Sequence, residues 1–367
     1  MSTLMDPIRI GQIDLAHRIV MAPLTRNRAG PGQVPTALMA RYYAQRGNPQ
    51  TGAALIVSEA TQICAEGQGY LDTPGLHTAQ QVAGWKQVTQ AVHAQGGRIV
   101  AQLWHVGRIS HTSLQPDGAS PVSCTARAAT TKTFIAGGFA PCSPPRALRT
   151  DELPGIVEHY RRSAVNAREA GFDGVEIHAA NGYLLDQFLR DTINDRTDGY
   201  GGDFAGRSRL LLEVLRAVSQ AIGSGRTGVR LSPVTPSNDA APDTQAQALY
   251  DHVGAQLAPL QLAYVHVVEG QTGGARDFAS FDFERLRQRC GAPWMVNNGY
   301  TAPMARQAVE HGQADLVAFG RPFIANPDLT RRIQEGAPWN ALDTKTLYGG
   351  GEAGYTDYPA LASESAR

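Results

Sequence analysis

GVEIHAANGYLLDQFL, residues 174–189, changes its period halfway along. Val175, Glu176, Ile177 and His178 alternate apolar and polar, the two-residue period of a strand. After Ala179, Ala180, Asn181 and Gly182, the apolar residues Leu184, Leu185, Phe188 and Leu189 follow at helical spacing. His178 and Asn181 bracket the turn and Tyr183 opens the helix. Three groups able to hydrogen-bond or move a proton thus gather at the C-terminal end of one strand, where parallel α/β folds carry their chemistry. His178 or Tyr183 alone reads as a core residue with a satisfied polar tip; the three together point to function.

The strand-then-helix rhythm recurs outward from this stretch. Seven further β-branched or apolar runs are RIVMAPL (18–24), AALIVSEAT (53–61), RIVAQLWH (98–105), TGVRLSP (227–233), AYVHVVEG (263–270), WMVNNG (294–299) and LVAFGRPF (316–323). Helical spacing fills 80–95, 153–170, 207–222, 244–257 and 303–311. Eight alternations predict an α/β protein built as one (β/α)8 TIM barrel, a single domain over residues 1–367. Gly171 is expected as a left-handed helix end, and Asn326–Pro327 as an N-cap followed by a first-turn proline. Residues 106–148, after strand 3, are too many for a βα loop. Within them TKTFIAGGFAP predicts a β-hairpin turning at Gly137–Gly138. It reads as a lid over the barrel mouth, with Phe134, Ile135 and Phe139 buried.

Composition narrows the partners. Lys+Arg and Asp+Glu are equal at 33 each, so no global field draws in nucleic acid or an anionic membrane. MSTLMDPIRI shows no signal-peptide pattern, and no apolar run approaches the roughly 20 residues of a membrane span. Cys64, Cys124, Cys142 and Cys290 form no C-x-x-C pair, so neither a metal site nor a dense disulfide framework is expected. A reducing, cytoplasmic setting follows as the default.

The strand ends carry residues that an apolar barrel would not choose. Strand 1 ends in Pro23, Leu24 and Thr25, strand 2 in Glu59, Ala60 and Thr61. Strand 3 sets Gln102 and Trp104 two apart, on one side; strand 5 gives Arg230. Strands 7 and 8 end in Asn297, Asn298, Gly299 and in Gly320, Arg321, where barrels build phosphate sites. The glycines allow close backbone approach and Arg321 offers a bidentate donor. Arg230, with no evident carboxylate partner, calls for an anion. Gln102 can both donate and accept along a ring edge. A flat heterocycle with a phosphate tail meets all of these demands, and flavin mononucleotide (FMN) fits.

These residues sit in longer matching stretches: MAPLTRNRA (21–29), SEATQI (58–63), QLWHVGRISH (102–111), HAANGYLLDQFL (178–189), NDRTDGYGGD (194–203), VRLSP (229–233), AFGRPFIANPDL (318–329) and YGGGEAGYTDYP (348–359). Through them the chain resembles the Old Yellow Enzyme family of FMN-dependent ene-reductases over nearly its whole length. The likeness is strongest to the bacterial enoate, nitroester and N-ethylmaleimide reductases. Thr25 separates it from the branch with cysteine there, and Asn181 stands where relatives carry Asn or His. Asn297 and Asn298 replace the small residues of many relatives.

The resemblance implies that Pro23, Leu24, Thr25, Ala60 and Gln102 contact the non-covalent flavin ring, with Arg230 beside its N1. Gly299, Gly320 and Arg321 would cradle the phosphate. His178 and Asn181 would bind the substrate's activating oxygen, Tyr183 would be the proton donor, and Tyr70, Trp104 and Tyr355 would line the substrate pocket. The implied reaction is NADPH- or NADH-driven reduction of α,β-unsaturated carbonyl compounds and nitroalkenes: hydride passes from flavin N5 to Cβ, and Tyr183 protonates Cα. A small-molecule alkene is the expected partner, with the protein a monomer or homodimer. A flavin-free aldolase or isomerase would need a lysine or paired carboxylates at the strand ends, and the sequence offers neither. The larger cluster-bearing relatives need cysteines and domains absent here. A flavin-binding protein without turnover would hold FMN yet oxidise no NAD(P)H with an alkene.

Overall fold

Each of the eight runs becomes one short parallel strand in the computed structural model, which describes residues 2–276 and 281–362. They are β1 (Ile19–Met21), β2 (Leu55–Val57), β3 (Arg98–Trp104), β4 (Gly174–Ala179), β5 (Thr227–Leu231), β6 (Tyr264–Val268), β7 (Trp294–Asn297) and β8 (Leu316–Phe319). Each pairs with the next, and β8 pairs with β1, so the sheet closes into a barrel. Residues 1, 277–280 and 363–367 of the expected 1–367 domain lie outside the described residues.

A helix follows every strand: α1 (Ala37–Arg46), α2 (Ala79–Ala94), α3 (Leu153–Glu169), α4 (Phe204–Ile222), α5 (Ala246–Leu257), α6 (Phe283–Cys290), α7 (Ala302–Glu310) and α8 (Leu329–Glu335). Five were visible as helical spacing. α1 buries Met39, Tyr42, Tyr43 and Arg46, a face too polar to read as amphipathic. Half of α6 is charged, and α8 has only seven residues. Gly171 takes φ +89° just past the end of α3, as expected. Asn326 does not cap α8; Asp328 occupies that position. Asn326 Nδ2 instead donates to the Pro322 carbonyl at 2.8 Å and Asn326 Oδ1 accepts from Asn340 N at 2.7 Å, tying down the chain past β8.

Alternation along the strands sorts the interior. Val175, Ile177 and Ala179 of β4 face outward into the core shared with the helices. Inside, the lower barrel is apolar: Val20, Leu55, Val57, Val100, Tyr264, Met295 and Leu316 pack together. An N-terminal antiparallel hairpin, Ile8–Ile10 with Ile13–Leu15, adds Ile10, Ile13 and Leu15 to that cluster and plugs the floor. Gly228 is required there, because a Cβ would lie 2.4 Å from the Tyr264 ring. Above this floor the inward positions turn polar: Gln102, Glu176, His178, Arg230, His266 and Asn297 are all buried.

Residues 106–148 contain the expected hairpin, Lys132–Ile135 against Gly138–Pro141. Ile135 pairs with Gly138, so the turn is Ala136–Gly137, one residue earlier than expected. Phe139 is not buried but 63% exposed, its ring 5.3 Å from that of half-buried Phe134. The hairpin overhangs the cleft rather than filling a core.

The loop after β4 is fastened from below. Arg190 and Asp186 form a fully buried ion pair at 2.8 Å. Arg190 also donates to the carbonyls of Ser232, Thr235, Ala240 and Ala241 at 2.9–3.0 Å, joining this loop to the one after β5. Arg190→Met strands the Asp186 carboxylate and four carbonyls. A loss of about 3–5 kcal/mol is expected in urea unfolding; a loss under about 1 kcal/mol would contradict the clamp.

Candidate active site

Backbone strain sets the site's first wall. Asn181 and Gly182 both take positive φ, +59° and +75°, which turns the chain sharply out of β4. Side chains hold this turn: Asn181 N donates to Ser232 Oγ at 2.7 Å and Gly182 N to Asp186 Oδ2 at 2.8 Å. The Thr272 hydroxyl donates to Asn181 Oδ1 at 2.8 Å. His178, Asn181 and Tyr183 therefore face one cleft of about 630 Å³ at the C-terminal mouth of the barrel, a volume typical of ligand sites.

Tyr183 sits just before a short helix, Leu184–Leu189, that no side chain caps. Its hydroxyl lies 3.1 Å from the Tyr70 hydroxyl, and its ring meets Trp104 edge-on at 4.9 Å and His178 at 5.2 Å. Tyr70 and Trp104 stack at 5.7 Å. Burial raises the Tyr183 pKa, while hydrogen bonds from Tyr70 and Asn238 pull the other way; the phenol stays protonated at neutral pH. Burial, then the charges of Arg230 and His266, push His178 well below its usual range, so its ring is neutral.

Pro23, Leu24, Thr25, Ala60, Gln102 and Arg230 line the same cleft. Arg230 is buried, and its Nη2 donates to Asn297 Oδ1 at 2.9 Å. Its carboxylate counter-charge, unseen in the sequence, is Glu176 on the neighbouring strand. Gln102 donates from Nε2 to that carboxylate at 2.7 Å, which removes its expected freedom to donate and accept alike. Three buried polar atoms in the cleft wall have no partner: His178 Nδ1, Arg230 Nε and Trp104 Nε1. Such atoms at a cleft suit a polar ligand.

At the far end Gly299, Gly320 and Arg321 line the cleft as expected. Asn298 and Gly299 take φ +114° and +65°, which bends the backbone sharply out of β7 at the cleft, and Arg276 donates to the Asn298 carbonyl at 2.7 Å. Both asparagine side chains are engaged by the protein: Asn297 Nδ2 donates to the Ala318 carbonyl at 2.7 Å, and Asn298 Nδ2 to that of Glu269 at 2.6 Å. Ring-sized polar walls, a cation and this backbone cradle together fit FMN. No group of three or more His, Cys, Asp or Glu among the described residues could hold a metal ion.

Tyr355 is the misplaced expectation. It is fully buried, stacked on Tyr42 at 4.0 Å and covered by Arg28 at 4.3 Å, outside the cleft. Tyr348 lines the cleft instead. Both belong to YGGGEAGY, and a motif alone does not say which tyrosine turns inward. Sequence reasoning missed Thr272, Asn238 and Lys132, and it set Phe134 and Phe139 in the lid as buried residues where they line the cleft. Thr272 and Asn238 lie on loops whose reach no periodicity reveals.

Residues 3–340 match the model of the NADH:flavin oxidoreductase / NADH oxidase family. The chain is 43% identical to 12-oxophytodienoate reductase 7 of Oryza sativa subsp. japonica over an alignment of 383 residues, 99% of this chain and 96% of that protein. It superposes on a structure of morphinone reductase in complex with tetrahydroNAD with a TM-score of 0.93 at 45% identity, over 100% of both chains. It superposes on the old yellow enzyme homologue from Zymomonas mobilis with a TM-score of 0.92 at 42% identity, over 98% of this chain and 100% of that one.

Glu59, next to Ala60 of the cleft wall, carries a pH signature. Burial raises its carboxyl to about 7, against hydrogen bonds from Arg26 N and the Tyr43 hydroxyl. The unfolded chain has the group near 4.5. Between these values the folded state holds the extra proton, so its stabilising contribution is complete below 4.5 and gone above 7, at about 1.4 kcal/mol per pH unit. Glu59→Gln should therefore gain on the parent by about 2 kcal/mol between pH 5.5 and 7.5 in paired urea titrations. A difference that does not change with pH would contradict the raised carboxyl.

Proposed function

The chain belongs to the NADH:flavin oxidoreductase / NADH oxidase family, in its Old Yellow Enzyme group, and on that membership we propose that it reduces the C=C bond of α,β-unsaturated carbonyl compounds and nitroalkenes. It is an NAD(P)H-dependent flavin oxidoreductase, with FMN as cofactor and a nicotinamide nucleotide as hydride donor. The proposal is carried by one observation: a neutral His178 with an unpartnered Nδ1, Asn181 and a protonated Tyr183 share one wall of the cleft.

FMN held in the cleft would supply two-electron hydride chemistry between the nicotinamide nucleotide and the alkene. His178 and Asn181 hold the activating oxygen and stabilise the charge that develops on it. A neutral imidazole does this without bringing a mobile proton of its own. Tyr183 gives its hydroxyl proton to Cα, with Tyr70 and Asn238 steadying the phenolate left behind. Tyr70, Trp104 and Tyr348 bound the substrate's space.

Pro23, Leu24, Thr25, Ala60 and Gln102 would bind and orient the ring. Arg230 would favour negative charge at the adjoining edge, and Gly299, Gly320 and Arg321 would hold the phosphate. In this reading residues 1–367 act as one FMN-binding unit, monomer or homodimer, in the cytoplasm. No helix among the described residues is long and apolar enough to cross a membrane.

Tyr183→Phe separates the two half-reactions. Flavin reduction by NAD(P)H should proceed nearly unchanged, while reoxidation by cyclohexenone should slow by about 10²–10⁴-fold. Nitroalkenes should suffer less, because a nitronate can leave and take its proton from water. Stopped-flow traces decide: equal slowing of both halves makes Tyr183 a packing residue, and slowing of neither assigns the proton to another donor.

A further inference from the structure

The chemistry proposed above leaves the buried charge of Glu176 unused. Glu176 on β4 is wholly inside the barrel, and Gln102 Nε2 donates to its Oε1 at 2.7 Å. Its Oε2 lies 2.8 Å from Nδ1 of His266, a ring equally buried on β6. Directly below, Val100 and the ring of Tyr264 belong to the apolar floor cluster, while the Tyr264 hydroxyl faces the carboxylate. A carboxylate is costly to bury, and packed apolar side chains commonly serve stability as well or better. Stability thus gives no reason for an acid at this position.

The chemistry of the contact does. An ionised carboxylate only accepts hydrogen bonds, so both neighbours must present N–H to it. Burial alone would raise the Glu176 pKa, but His266, Arg230 and Gln102 outweigh it and hold the group ionised. The orientation of the Gln102 amide therefore follows from its partner and not from indistinguishable O and N atoms. With the NH2 turned to Glu176, the amide oxygen is left for the cleft that Gln102 lines. Oxidised isoalloxazine has a single N–H, on its imide.

We propose that Glu176, backed by His266, is a positioning residue that fixes Gln102 as an acceptor for the flavin imide N–H. This rests on the FMN site proposed above and adds what selects one orientation of the ring edge. Glu176 does not touch the ring; it acts through Gln102.

The test reads the ionisation of the bound imide, by flavin absorbance in alkaline titrations of FMN-loaded parent, E176Q, Q102M and the double variant. In the parent, the bound imide should ionise at higher pH than in free FMN. E176Q frees the Gln102 amide to turn its NH2 to the ring, and the apparent pKa should fall by about one unit, tenfold in the ionisation constant. In the Q102M background E176Q should change nothing. An equal shift in both backgrounds would mean that Glu176 acts on the ring by charge alone, and no shift in either would leave it structural; both overturn the proposal. A parent that binds no FMN would instead overturn the site reading beneath it. Should E176Q fail to fold, the parent loaded with FMN labelled with ¹⁵N at the imide gives the answer by NMR. A downfield imide proton protected from exchange supports the acceptor, and exchange as fast as in free FMN refutes it.

Discussion

The turn at Asn181–Gly182 is the constraint on which the rest of the site depends. Two successive residues take positive φ there; Gly182 does so freely, while Asn181, a non-glycine, is held in a sparsely populated region. What holds them is the Asp186 carboxylate, which accepts from Gly182 N, and Arg190, which neutralises Asp186 and grips four carbonyls of the loop after β5. His178 is the last inward-facing residue of the strand before the turn, and Tyr183 starts the chain after it. Their 5.2 Å ring separation is thus set by a buried electrostatic clamp that meets no ligand.

The barrel interior explains why this clamp serves chemistry. Its lower half is filled by apolar side chains and sealed by the N-terminal hairpin, so nothing but the upper half can be wet or polar. There a Gln102–Glu176–His266 group and an Arg230–Asn297 pair form a polar layer across β3 to β7, linked by the attraction between the Arg230 and Glu176 charges. Low dielectric below and paired dipoles above make each of these charges count for more than it would in water. The same burial keeps His178 neutral and Tyr183 protonated.

Much of this was legible in the sequence, and the gaps have physical causes. All eight strands were visible because strands buried on both sides need continuous apolar or β-branched runs. α1 and α6 were not, since tyrosines, arginines and other charged residues blur the helical stripe. The His178–Tyr183 turn was legible because strand and helix periods meet there. Glu176 was passed over as a partner for Arg230, although the alternation of β4 sends it, like His178, into the barrel. Tyr355 was misassigned because its position depends on contacts across some 300 residues: Arg46 donates to its carbonyl at 3.3 Å and Arg28 covers its ring. Those arginines, with Arg26 bonded to the Gly354 carbonyl at 2.8 Å, tie the C-terminal segment down and leave Tyr348 at the cleft.

Anaerobic titration of the purified protein, followed by absorbance, tests the central claim most directly. The account predicts a yellow protein whose flavin bands bleach with about one equivalent of NADPH or NADH and return on addition of cyclohexenone. A colourless protein that gains no bands with added FMN would contradict the cofactor site. A protein that bleaches but is not reoxidised by any electron-poor alkene would be a flavin carrier, and the ene-reductase account would be wrong.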